Sequence, residues 1–139
     1  MRDVARRGKV RVLVMDDDAV VRSVFKRMLE RLGYEVELAT DGDQAVALYR
    51  AALQRRQPFD VVILDQRVPG GRGGEQALTS LRELDPRVHA ILVTGYPEDG
   101  IADNFADTGF ADVIIKPVAL NEMREVLAGV IARSRRAGR

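Results

Sequence analysis

Short apolar runs alternate with amphipathic stretches along the whole chain. Val10 to Met15 is apolar apart from Arg11, and Asp16, Asp17 and Asp18 follow at once. Apolar positions then recur at Val21, Val24, Phe25, Met28, Leu29 and Leu32, the stripe of an amphipathic helix. Asp18 is placed to cap that helix and Gly33 to end it. Tyr34 to Ala39 alternates, as a strand at a sheet edge does. After the turn at Thr40-Asp41-Gly42, the positions Ala45, Val46, Leu48, Tyr49, Ala52 and Leu53 mark a second helix. It ends near Gln57-Pro58, because proline disfavours helix in the residue before it.

The third run, Val61-Val62-Ile63-Leu64, has three β-branched members and meets Asp65 before Pro69 and the glycine-rich Gly70-Gly71-Arg72-Gly73-Gly74. This predicts a buried strand ending at a tight turn. Ala77, Leu78, Leu81 and Leu84 stripe a third helix, stopped by Asp85-Pro86. Val88 to Val93 is the fourth strand and runs into Thr94-Gly95. The stretch from Glu98 to Asp107 carries few apolar residues and predicts a short, weak fourth helix. Asp112 to Ile115 is the fifth strand, followed by Lys116-Pro117. Leu120, Met123, Val126, Leu127, Val130 and Ile131 stripe the last helix. Five strands alternating with five helices predict an α/β fold with a parallel sheet covered on both faces. Strands one, three, four and five, read as near-continuous apolar runs, are expected to be covered on both sides.

The 139 residues suit one domain. There is no cysteine, which excludes disulfides and any cysteine metal site or nucleophile. No apolar run reaches the roughly 20 residues that cross a bilayer, and the N-terminus lacks the pattern of a signal peptide. A cytoplasmic location without membrane contact is expected. The net charge of +1 conceals an asymmetry: residues 1–9 carry four basic groups and one acid, and residues 133–139 carry four Arg and no acid. Setting those ends aside leaves 14 basic and 20 acidic groups in residues 10–132, a net of −6. The expected organisation is a basic tail over 1–9, a folded body over 10–132 and a basic tail over 133–139. An acidic body disfavours nucleic-acid binding.

In a parallel α/β sheet, ligands bind beyond the carboxyl ends of the strands. Strand one delivers Asp16 and Asp17 there, strand three Asp65, strand four Thr94 and strand five Lys116. If strands one and three are neighbours, three carboxylates share one patch. A pair of like charges about 4 Å apart repels by roughly 4 kcal/mol at an effective dielectric near 20, so a proton or a cation must relieve it. Hard oxygen ligands with neither His nor Cys nearby favour Mg²⁺. Mg²⁺ with a carboxylate, a hydroxyl and an ammonium is equipment for handling a phosphoryl group: a carboxylate can attack phosphorus, and cations and donors neutralise the transferring oxygens. Lys116 stands out because the chain has 19 Arg and only three Lys, at 9, 26 and 116. Taken singly, each residue has a plainer reading: Asp65 as a turn former, Thr94 as a helix-capping hydroxyl, Lys116 as a solvated strand end. Asp18 reads as a cap. His89 lies at the far end of strand four and reads as structural or exposed. Tyr96 and Phe110 read as packing residues, and the glycine-rich segment lacks the Lys-Ser/Thr of a P-loop.

The set Val12-Leu13-Val14-Met15-Asp16-Asp17-Asp18, Asp65 with Pro69 and Gly73, Val93-Thr94-Gly95 and Lys116-Pro117, in this order and spacing, resembles the receiver domain of two-component response regulators over residues 10 to about 131. The resemblance implies a flavodoxin-like three-layer sandwich with strand order 2-1-3-4-5. It implies Asp65 as phospho-acceptor from a histidine kinase or phosphotransfer domain. It further implies Mg²⁺ held by Asp16, Asp17, Asp65 and the backbone carbonyl of Arg67, with Thr94 and Lys116 contacting the phosphoryl group. Val68 to Gly74, Ile91 to Tyr96 and Asn104-Phe105 are similar to receivers attached to hybrid sensor histidine kinases, which implies a module of a larger kinase; a stand-alone regulator is the other form. The face made by the fourth helix, strand five and the fifth helix is the expected mobile surface and a homodimer candidate. Two departures matter. Val113 stands three before Lys116, where the family often has a rotating aromatic, so that switch is not expected here; Tyr96, two after Thr94, is the replacement candidate. Arg67, a large cation two after Asp65, is expected to influence dephosphorylation. A competing reading is a Mg²⁺-dependent phosphohydrolase working through an aspartyl phosphate. Such enzymes commonly place a second Asp two residues after the nucleophile, where this chain has Arg67. A flavodoxin-like binder without chemistry would leave the convergence of Thr94 and Lys116 on three acids unexplained.

Overall fold

A computed structural model describes residues 9–95 and 105–136. The elements are β1 (Arg11–Met15), α1 (Ala19–Arg31), β2 (Glu35–Ala39), α2 (Gly42–Gln54), β3 (Val61–Asp65), α3 (Gly74–Leu84), β4 (Ala90–Thr94), a 3-10 turn (Phe105–Thr108), β5 (Asp112–Ile115) and α4 (Leu120–Arg136). Among the described residues there are thus four α-helices. The helix expected over Glu98 to Asp107 lies outside them apart from its last three positions, as does Tyr96.

All strand pairs are parallel and the order is β2-β1-β3-β4-β5. Alternate residues of each strand serve opposite faces. Leu13, Met15, Val62, Leu64, Ala90 and Leu92 pack under α2 and α3, against Ala45, Tyr49, Ala77 and Leu81. Val12, Val14, Val61, Ile63, Ile91 and Val93 pack under α1 and α4, against Phe25, Leu29, Met123 and Leu127. The layered arrangement is the three-layer sandwich expected.

Local sequence explains the ends. Asp18 caps α1, its Oδ1 accepting from Val20 N at 2.8 Å and Val21 N at 3.3 Å. Past the other end of α1, Gly33 takes φ +96°, a left-handed turn that suits glycine. Some expectations need correction. β5 closes the sheet as an edge strand, so only Ile114 of its four residues is buried and Ile115 is exposed. Asp65 and Thr94 are the last residues of β3 and β4 rather than the first residues after them. Pairing continues one step past the apolar run, with Gln66 N donating to Val93 O at 2.8 Å and Lys116 N to Thr94 O at 2.9 Å. The Lys116-Pro117 peptide is cis.

At the amino ends of the strands Arg11 binds several elements at once. Its guanidinium donates to Glu35 at 3.1 Å, to Glu37 at 2.6 Å and to the carbonyl of Gln57, and lies 4.5 Å from the centroid of the Phe59 ring. The Arg11 backbone N–H donates to Asp60 at 2.8 Å. His89 lies at this same end, half-buried just before β4.

Candidate functional site

The strand order reverses between β1 and β3, and their carboxyl ends open onto one crevice. Asp16 follows β1 directly and is 1% exposed. Its position is fixed four ways. Its N–H donates to Ala39 O at 3.1 Å, its Oδ1 accepts from Asp18 N at 2.9 Å, its carbonyl accepts from Arg22 Nη1 at 2.8 Å, and its Oδ2 lies 3.1 Å from Lys116 Nζ. That last contact sets the ammonium against a buried carboxylate oxygen. Asp17, next in the chain, is exposed, and Asp65 is 6% exposed. One carboxylate oxygen from each of Asp16, Asp17 and Asp65 lies within 4.8 Å of the others.

Lys116 reaches the cluster from the end of β5, its Nζ 3.1 Å from Asp16 and 3.5 Å from Asp65 Oδ1. One ammonium cannot balance three acids. Burial, followed by the neighbouring Asp16 and Asp17, pushes the Asp65 carboxyl up from 3.8 to about 6, with Lys116 pulling the other way. Burial works against the charge on Lys116, but the carboxylates of Asp65 and Asp16 outweigh it and raise its pKa. The donor set is wholly hard oxygen and carries excess negative charge over the one ammonium beside it. These features fit a small divalent cation of the Mg²⁺ type.

Backbone packing holds Asp65 in place. Gly73 and Gly74 open α3 directly against the end of β3. A Cβ on Gly74 would lie 2.9 Å from the Asp65 carbonyl oxygen, and one on Gly73 2.4 Å from that of Gln66. This close approach is the reason for the glycines. Gly70 supplies a positive φ of +76° in the same turn. Gly73 N donates to Gln76 Oε1 at 2.9 Å, which ties the helix start to its own first turn.

The structure brings Asp16, Asp17, Asp65, Thr94 and Lys116 to one edge. Thr94, fully buried, donates its hydroxyl to the side-chain oxygen of Gln66. Arg67 is exposed beside them. Sequence reasoning gave no role to Gln66 or to Arg22. An amide beside a carboxylate has no distinctive spacing; only its adjacency to the β4 end reveals the contact.

A parallel α/β sheet of this order with an acidic cluster and a lysine at its switch point defines a class of phosphoryl-accepting signalling modules. The model of the response regulator receiver domain matches residues 12–128, and the chain belongs to that family. It is 36% identical over 129 residues to the transcriptional regulatory protein AruR of Pseudomonas aeruginosa, covering 91% of this chain and 51% of that protein. Among solved structures, a CheY-like receiver domain protein from Methanospirillum hungatei superposes with a TM-score of 0.81 at 26% identity, covering 94% of this chain and 99% of the other. The receiver domain of a sensor histidine kinase of Pseudomonas aeruginosa, solved with a magnesium ion coordinated in its active-site cleft, superposes with a TM-score of 0.77 at 30% identity, covering 89% and 98%. The chain spans 29% to 51% of the length of the first curated relatives it matches. Receiver domains accept phosphoryl groups from histidine kinases or phosphotransfer proteins and act in two-component signalling. No described helix is long and apolar enough to cross a membrane.

Proposed function

We propose that Asp65 accepts a phosphoryl group from a phosphohistidine. The single observation that carries this is the convergence of Asp16, Asp17 and Asp65 oxygens within 4.8 Å, with Lys116 Nζ at 3.1 and 3.5 Å. Asp16, Asp17, Asp65 and the Arg67 carbonyl would hold Mg²⁺. When bound, the ion supplies positive charge for the crowded carboxylates and for the transferring oxygens.

The chain's own residues do the rest. The Asp65 carboxylate forms the new O–P bond while the P–N bond breaks and its electron pair returns to the imidazole of the donor. Lys116 already sits against Asp65 and meets the acyl phosphate, whose charge of about −2 at neutral pH replaces the single negative charge of the carboxylate. Thr94, one strand over, donates its hydroxyl to a phosphoryl oxygen. Movement of Thr94 and Lys116 carries the switch to the surface of β5 and α4, the proposed docking face for a second copy. With Val113 in place of an aromatic, the switch works without a rotating ring at that position. Autodephosphorylation is a separate exit: water attacks phosphorus, the acyl O–P bond breaks, and Asp65 returns as its carboxylate with release of inorganic phosphate, with exposed Arg67 beside the path. The working unit is residues 10–132, in the cytoplasm, with a histidine kinase or phosphotransfer domain as donor and no nucleic-acid contact of its own.

Incubation with acetyl phosphate and Mg²⁺, read by intact mass, tests this. One phosphoryl adduct, absent in Asp65→Asn, is the expected result. Steady release of phosphate from phosphomonoesters would instead mark a hydrolase, and absence of both adduct and turnover would refute the acceptor role.

A further inference from the structure

A hydroxyl has one proton, and in this structure the Thr94 proton is committed to Gln66 Oε1. We infer that Gln66 is a positioning residue: its side-chain amide latches the Thr94 hydroxyl away from the acceptor, and the latch must open before Thr94 can serve a phosphoryl group on Asp65. The inference rests on the functional reading above.

Three observations build the latch. Thr94 is wholly buried at the end of β4, so water does not compete freely for its proton. Gln66 follows Asp65 in the chain, so the post that holds the hydroxyl is attached to the acceptor itself. The Gln66 backbone is clamped from two sides, its N–H donating to Val93 O at 2.8 Å and its carbonyl accepting from Gly74 N at 3.4 Å. Growth of a side chain at Gly73 would strike the same carbonyl. The main chain of Gln66 therefore stays put, and the change on phosphorylation falls to side chains. The Thr94 proton must leave Oε1 to reach a phosphoryl oxygen, so the two acceptors compete for one donor.

Competition of this kind fixes a sign. Removing Oε1 takes away one acceptor that competes for the hydroxyl and favours the liganded state. Gln66→Met keeps length and bulk but has no amide oxygen. It is expected to tighten the binding of beryllofluoride with Mg²⁺, and to speed phosphorylation by acetyl phosphate, about two- to tenfold, the span associated with loss of one hydrogen bond. Gln66→Ala moves the same way and covers the case in which Met repacks badly. In a Thr94→Val background, which lacks the proton at issue, Gln66→Met should change neither quantity; a purely structural role of Gln66 would persist there. Three-bond couplings of the Thr94 methyl group report its χ1 directly and should pass from one rotamer in the wild type to a mixture in Gln66→Met. Unchanged or weaker beryllofluoride binding by both Gln66 variants overturns the latch, since an amide presenting its NH₂ to Thr94 would leave the proton free. An effect that survives Thr94→Val overturns it equally. A wild-type protein that takes up neither beryllofluoride nor phosphoryl overturns the acceptor reading and the latch together, and is thereby distinguished from failure of the latch alone.

Discussion

Replacing Asp65 by Asn should stabilise the metal-free protein at neutral pH. Asp65 is 6% exposed, and its carboxyl is pushed up from 3.8 to about 6 by burial and by Asp16 and Asp17. A folded-state pKa above the unfolded one means that the folded state prefers the proton. The favourable contribution is complete below about pH 3.8 and is lost as pH rises through about 6. At about 1.36 kcal/mol per pH unit, the full rise corresponds to roughly 3 kcal/mol lost by pH 7. Asp17 is exposed at the rim, and solvent reaching that side screens part of the repulsion, so about 1–2 kcal/mol is the expected gain from Asn. Lys116 keeps its contact with Asp16 in the variant. Urea unfolding in EDTA should therefore show Asp65→Asn more stable than wild type by about that amount at pH 7, a Tm higher by roughly 3–6 °C, and near-equality at pH 4. Saturating Mg²⁺ should narrow or invert the gap, because binding to the wild-type cluster adds stability by mass action. A variant no more stable than wild type at pH 7 in EDTA, or a gap equally large at pH 4, would refute the electrostatic account of the site.

Lys116→Met leaves Asp16 and Asp65 without their ammonium and should cost about 1–2 kcal/mol in urea unfolding at pH 7, with less lost at pH 4 where Asp65 holds its proton. Gly74→Ala puts a methyl 2.9 Å from the Asp65 carbonyl oxygen and 2.9 Å from Leu92 Cδ1; a loss of about 1–3 kcal/mol is expected, and an unchanged urea midpoint would show that the helix start can retreat. Arg67→Ala should alter the lifetime of the aspartyl phosphate followed by intact mass, and superimposable decay curves would end that role for the exposed cation.

The sheet was legible because β1, β3 and β4 are runs of Val, Ile and Leu that only burial on both faces explains. Helix α1 was legible to its ends, since Asp18 and Gly33 are local devices acting on backbone within a few residues. β5 misled, since an apolar run reads alike at an edge and in the middle; strand order decides, and order depends on contacts distant in sequence. The acids, Thr94 and Lys116 could be gathered because each ends a strand, a position the pattern marks. Gln66 could not, since its partner is 28 residues away and the contact arises only when β3 and β4 lie side by side in register. Which helices share a face was likewise invisible, because each stripe says that a helix is half-buried and not against which side.

The guanidinium of Arg11 has a bearing on motion in this molecule. By bolting two strands, the approach to a third and an aromatic ring into one joint, it makes the rim farthest from Asp65 the stiff end of the domain. Amides around that joint should exchange with deuterated water more slowly than those at the opposite rim. A disturbance starting at Asp65 is then expected to spread across the sheet rather than along it, toward the edge where Ile115 meets solvent.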